Sequence, residues 1–149
     1  MAAIRDIRTI NSLLTEAERQ ANALGEPRPS AEHLVLAALL LEDDSARALL
    51  GIDADRFRAA LTQVHAEALE SVGVAAEHGD LPATGAGSGI YRSEPSAQEV
   101  FQRARVLAKL DHPAGLSGAH IVRAAAEREH GTVARALGQL GIDRRTLIQ

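Results

Sequence analysis

Apolar residues recur at three- and four-residue steps along almost the whole chain, the spacing that places them on one face of an α-helix. The first stripe is Ile7, Ile10, Leu13, Leu14, Ala17, Ala21 and Leu24. Gly25 is a natural helix stop, and Pro27 and Pro29 prevent resumption before Ser30. Ser30 caps a second helix carrying Leu34, Leu36, Ala37, Leu40 and Leu41; it is apolar nearly all round, so it is expected to be central. Asp43 or Asp44 opens a short third helix, Ser45 to Leu50, which Gly51 closes. Asp53 caps a fourth, with Phe57, Leu61, Val64 and Leu69 on one face.

The pattern dissolves from Ser71 to Arg92, where five glycines and a proline predict a flexible linker. Ser96-Ala97-Gln98-Glu99 then has the form of a capping box, opening a helix with Val100, Ala104, Leu107, Ala108 and Leu110. Asp111 to Gly115, with Pro113 inside, repeats the break at Gly25 to Pro29. Ser117 starts helix six, Thr132 caps helix seven, Gly141 stops it and Asp143 caps a last short helix.

These elements are two copies of one unit. Ser30 to Asp53 and Ser117 to Asp143 each open on serine, reach a histidine three residues later (His33, His120), and close on Gly-Ile-Asp. The two histidines stand 87 positions apart. Self-similarity at long spacing fixes architecture ahead of local detail. The chain is therefore expected to be all-α: eight helices as two four-helix repeats, one spanning about 4–70 and the other about 94–149, with the linker over 71–93.

Composition sharpens this picture. Only Phe57, Tyr91 and Phe101 are aromatic, so Ala and Leu must fill the core, which suits close-packed helices. The absence of cysteine excludes disulfides, a thiolate nucleophile and a Cys-based zinc site. A net charge of −4 gives little support to sequence-independent nucleic-acid binding. The longest apolar run, Leu34 to Leu41, is too short to span a bilayer, and the N-terminus lacks a signal-peptide stretch, so a cytoplasmic location is expected.

With the order of these motifs in view, the chain resembles the N-terminal domain of Clp AAA+ unfoldases of the ClpC and ClpA type. Glu32-His33-Leu34-Val35-Leu36 is similar to the family's Glu-His run. Glu127 to Arg135 and Leu140-Gly141-Ile142-Asp143 match its later motifs without a gap. The resemblance covers nearly everything but the linker, which looks longer than is usual. It implies a pseudo-twofold pair of four-helix repeats that binds substrates or adaptors of the Clp protease and does no chemistry. A phosphate-binding loop is missing, since GAGSGIY has no lysine, so nucleotide hydrolysis is not expected. The chain then reads as a stand-alone Clp-N-like protein, or as a domain excised from a full ClpC-type ATPase.

The resemblance also implies sites. The family's guanidinium-binding glutamate for phosphoarginine stands at Glu32; the matching position in the second repeat is Ala119. Its phosphate-contacting threonines map onto Ile7 and Glu94, which offer phosphate no donor, and Thr9 is out of register. Cyclic-peptide antibiotics of the cyclomarin type bind the family where the first helices of the repeats meet. The corresponding residues here are Ala3 and Leu14 with Ser93, Gln98 and Gln102, and Tyr91 could fold in from the linker.

Against these stand plainer readings. Glu32 suits the positive N-terminal end of its helix, and His33 and His120 read as structural histidines bonding backbone between helices. No histidine shows metal-ligand spacing, no Ser-His-acid set is recognisable, and no metal or cofactor is expected. A helix–turn–helix regulator is disfavoured by a pI of about 5.8 and the scarcity of exposed Lys/Arg on the candidate recognition helices.

Overall fold

The computed structural model describes residues 2–72, 93–111 and 115–148, with side chains for 6–70, 93–111 and 115–148. Among these residues are eight α-helices: α1 (Ala2–Ala23), α2 (Ala31–Leu39), α3 (Ser45–Leu50), α4 (Ala54–Val72), α5 (Pro95–Leu110), α6 (Gly118–Ala126), α7 (Thr132–Gln139) and α8 (Arg144–Leu147). No strand occurs among the described residues. The expected linker, Tyr91 included, falls almost wholly outside them. No helix among the described residues is long and apolar enough to cross a membrane.

Every residue of α2 is buried, as its all-round apolar sequence requires. Seven of the nine α6 residues are buried too, and the two helices pack on each other as the centre of one continuous core. α1 covers α2, α5 covers both α2 and α6, and α4 packs on α2 and α7. Gly118 makes the central contact possible. A Cβ there would lie 3.0 Å from the Ala38 carbonyl oxygen and 3.1 Å from the Ala46 Cβ, so the start of α6 approaches the end of α2 as only glycine allows.

A buried helix leaves orphan N–H and C=O groups at its ends, and these must find partners. At the C-terminal end of α2, the Arg47 guanidinium donates to the carbonyls of Leu39 (2.5 Å) and Leu41 (3.2 Å). At the corresponding end of α6, Arg144 donates to the Ala126 carbonyl at 3.0 Å. At the other ends, Ser96 on α5 accepts from the Ala31 N–H (3.1 Å), whereas α6 takes Ser45 Oγ on Ala119 N–H (2.9 Å) and Asp43 on Gly118 N–H (3.3 Å). Each half therefore supplies caps for the other.

Several boundaries differ from the sequence reading. α5 opens on Pro95, with Glu94 as its cap residue, so Ser96 lies inside the helix and its hydroxyl serves α2 in place of a capping box. Proline at the first helical position loses no hydrogen bond, which explains the earlier start. Gly131, at φ +109°, is the cap of α7, and Thr132 is its first helical residue. Ile7, Leu69 and Leu110 belong to the apolar stripes yet are exposed, because the long helices overhang the core at those points. The caps at Asp53 and Asp143 are as expected, each accepting from an N–H in the first turn of its helix.

One glycine joins the halves. Gly115 has φ +71°, and a Cβ there would meet Asp6 Oδ1 at 2.6 Å; the same oxygen accepts the Leu116 N–H at 3.0 Å. Gly141 has nearly the same φ (+72°) but open space around it. Gly141→Ala should therefore cost only the strain of a left-handed backbone, about 1–2 kcal/mol. Gly115→Ala should cost on the order of 1 kcal/mol more, because Asp6 must also move. Urea unfolding of the two variants side by side checks this; equal losses would show that the Asp6 contact carries no weight.

Candidate functional site

α1 and α5 do not pack closely on each other, but hydrogen bonds link the segments at their ends. At one end Asp6 holds the loop before α6. At the other, the Pro29 carbonyl accepts the Glu94 N–H at 2.9 Å and Ser96 holds the start of α2. Both helices rest on α2 without packing closely on each other.

On α1, Leu14 is half-buried and Ile7 is 58% exposed, two turns apart on the same side of the helix. Ile7 was not singled out for the groove from sequence, where it stood in for a missing threonine; an exposed isoleucine two turns from Leu14 is the signal that would have found it. Ala3 lies in α1, and its side chain is outside the described ones. On α5 the expected residues separate. Ser93 is 4% exposed, and its carbonyl accepts from Gln98 Nε2 at 2.9 Å. Gln98 is half-buried with its amide committed to that bond, while Gln102 is exposed and free to meet a ligand. Tyr91 is outside the described residues.

The two histidines turn out to be local devices. The Ser30 N–H donates to His33 Nδ1 at 2.8 Å, and the Ser117 N–H donates to His120 Nδ1 at 3.0 Å. A backbone N–H can only donate, so Nδ1 is the acceptor and each ring carries its proton on Nε2. The bond is to backbone, as expected, but to the cap residue of the histidine's own helix and not across helices. Beyond that the halves diverge. His120 Nε2 donates to Asp111 Oδ2 at 3.0 Å, whereas His33 Nε2 is fully buried and has no partner. Leu24 occupies the position in the first half that Asp111 occupies in the second, and an alkyl chain accepts nothing.

Beside His33, Glu32 is only 8% exposed, with the Thr132 side chain at the start of α7 nearby. Burial raises its pKa, with the backbone and His65 pulling the other way and Glu26 adding to the rise. Glu32 is therefore largely withdrawn from solvent. In the second half Ala119 carries no acid, but the Asp43 carboxylate stands at the same helix start, held by the Ser45 N–H at 3.0 Å. Among the described residues no group of three or more His, Cys, Asp or Glu could hold a metal.

Burial, and next the proximity of His65, lowers the His33 pKa to about 4 from 6.5. A depressed folded-state pKa gives stability above the unfolded value that is lost as pH falls through the folded one. His33 should thus remove roughly 3 kcal/mol between pH 6.5 and 4. Glu32 acts in the opposite sense: its raised pKa favours the fold at low pH and costs stability as pH rises through that value. His33→Asn keeps an acceptor for the Ser30 N–H but does not titrate. Thermal unfolding across this range should show a shallower loss on acidification in the variant; an unchanged pH slope would remove His33 as its source.

No family model and no curated protein matches this chain. Among solved structures that do match is the N-terminal domain of the caseinolytic protease associated chaperone ClpD from Arabidopsis thaliana. It is 22% identical with a TM-score of 0.59, and the match covers 97% of this chain and 87% of that one. Eight helices with no strand among the described residues, and a likeness that runs almost end to end, lead to one conclusion: this chain has the fold of a Clp N-terminal domain.

Proposed function

We propose that this chain is a non-enzymatic binding module that takes peptide-like ligands, substrates or adaptors of a Clp protease system in the groove between α1 and α5. What supports this reading is a Clp-N fold in which α1 and α5 both rest on α2 and carry the exposed Ile7 and Gln102. A preformed groove binds without first ordering its walls, and an apolar lining suits a ligand with few donors to satisfy. Cyclic-peptide antibiotics of the cyclomarin type fit that description, and a free-standing module would sequester them from the Clp machine. The same module as the N-terminal domain of a ClpC-type ATPase is the alternative setting, with the same binding chemistry.

Calorimetric titration with a cyclomarin-type peptide tests the groove. Ile7→Arg changes an exposed residue and leaves the core intact, yet it should weaken binding about tenfold or more, or about 1.4 kcal/mol. No heat from the wild type, or equal affinity in the variant, would sink the assignment. The marked-substrate reading places a phosphoarginine guanidinium on Glu32. That asks the carboxyl to ionise against its burial. Phosphoarginine binding by the wild type that disappears in Glu32→Ala would support it, and silence would confine Glu32 to its interior role.

A further inference from the structure

Where α4 crosses α7, away from the groove, the surface opens into a cleft of about 580 Å³. It is lined by Val64, Glu67 and Ala68 from α4 and by Arg135, Gly138 and Gln139 from α7. The volume is in the range that small ligands and peptide ends occupy.

The charged groups of this cleft are not spent on each other. The Glu67 carboxylate accepts the Gln139 side-chain amide at 2.9 Å to each oxygen, and more loosely that of Gln63 at 3.4 Å. Arg135 is exposed and forms no ion pair with it. A cation and an acid therefore line one cleft separately, each with capacity for a ligand. Between them lies Gly138, inside α7, where glycine is unfavourable. Its φ is not positive, and nothing lies within 4 Å of where its Cβ would be. Neither backbone conformation nor internal packing requires glycine here. Its effect is to leave the floor of the cleft bare, continuous with Val64 and Ala68.

We propose that this cleft captures the C-terminal end of a polypeptide. Arg135 takes the terminal carboxylate, since a planar guanidinium offers two parallel donors to it. Glu67 accepts the last backbone N–H, and the last side chain, small or aliphatic, lies on the shelf of Val64, Ala68 and Gly138. A phosphate or an acidic side chain would satisfy Arg135 but bring no donor for Glu67. A chain terminus carries a carboxylate and an N–H on the same residue, which matches the exposed Arg135 guanidinium and the remaining acceptor capacity of Glu67 together. This inference stands on the α4–α7 cleft alone and does not depend on the groove.

The test is fluorescence anisotropy with one short peptide ending in leucine, labelled at its N-terminus, as the free acid and as the carboxamide. The acid should bind at least about tenfold more tightly than the amide, and Arg135→Gln should erase the difference. Gly138→Leu fills the cleft while improving helix propensity, so it should abolish binding with its melting temperature kept or raised. Equal binding of acid and amide is what capture in the α1–α5 groove gives, and it overturns the assignment. So does discrimination that survives Arg135→Gln, displacement by free leucine as effective as by unlabelled peptide, or no binding of the acid form by about 1 mM.

Discussion

The structure depends on burying α2 completely. An α-helix with no solvent-facing side must have its apolar surface covered on every flank and its terminal backbone groups satisfied without water. α1, α4, α5 and α6 provide the cover. The ends are closed by Arg47 from its own half and Ser96 from the other. α6 has the same problem and the mirrored solution, with Asp43 and Ser45 reaching over from the first half. Each central helix thus draws on both halves for its terminal hydrogen bonds. The Asp6–Leu116 and Glu94–Pro29 bonds add further links between the halves.

Within this shared plan the halves are not equivalent in chemistry. The second half gives its buried histidine an acid in Asp111 and takes the carboxylate at the start of α6 from Asp43. The first half leaves His33 Nε2 without a partner and keeps its own carboxyl, Glu32, largely buried. The two shifts driven by burial, at Glu32 and His33, accordingly lie in the first half. Where α4 meets α7, Glu67 and the exposed Arg135 line one cleft with Gly138.

Much of the fold was legible because helical periodicity and its punctuation are local. Gly25, Gly51 and Gly141 stop helices with positive φ where the stripes end, and Asp53 and Asp143 cap where they begin. The starts of α5 and α7 were displaced because Pro95 and Gly131 are themselves suitable openings, one residue before the polar residues that resemble caps. Ser96 shows the limit of such reading: a hydroxyl near a helix start looks like a cap for its own helix, and only the packing reveals that it serves α2, 65 residues away.

The sequence by itself determined the class, the number of helices among the described residues and the centrality of α2, since each follows from the identity and spacing of neighbours along the chain. Tertiary structure alone decided which side chains are available. Ile7 is exposed while Ser93 is buried, Gln98 is spent on a backbone carbonyl while Gln102 is free, and Glu32 is largely withdrawn from solvent. The physical reason is that availability depends on what residues from the other half bring to the same point, and those partners are separated along the chain by distances over which local pattern carries no information.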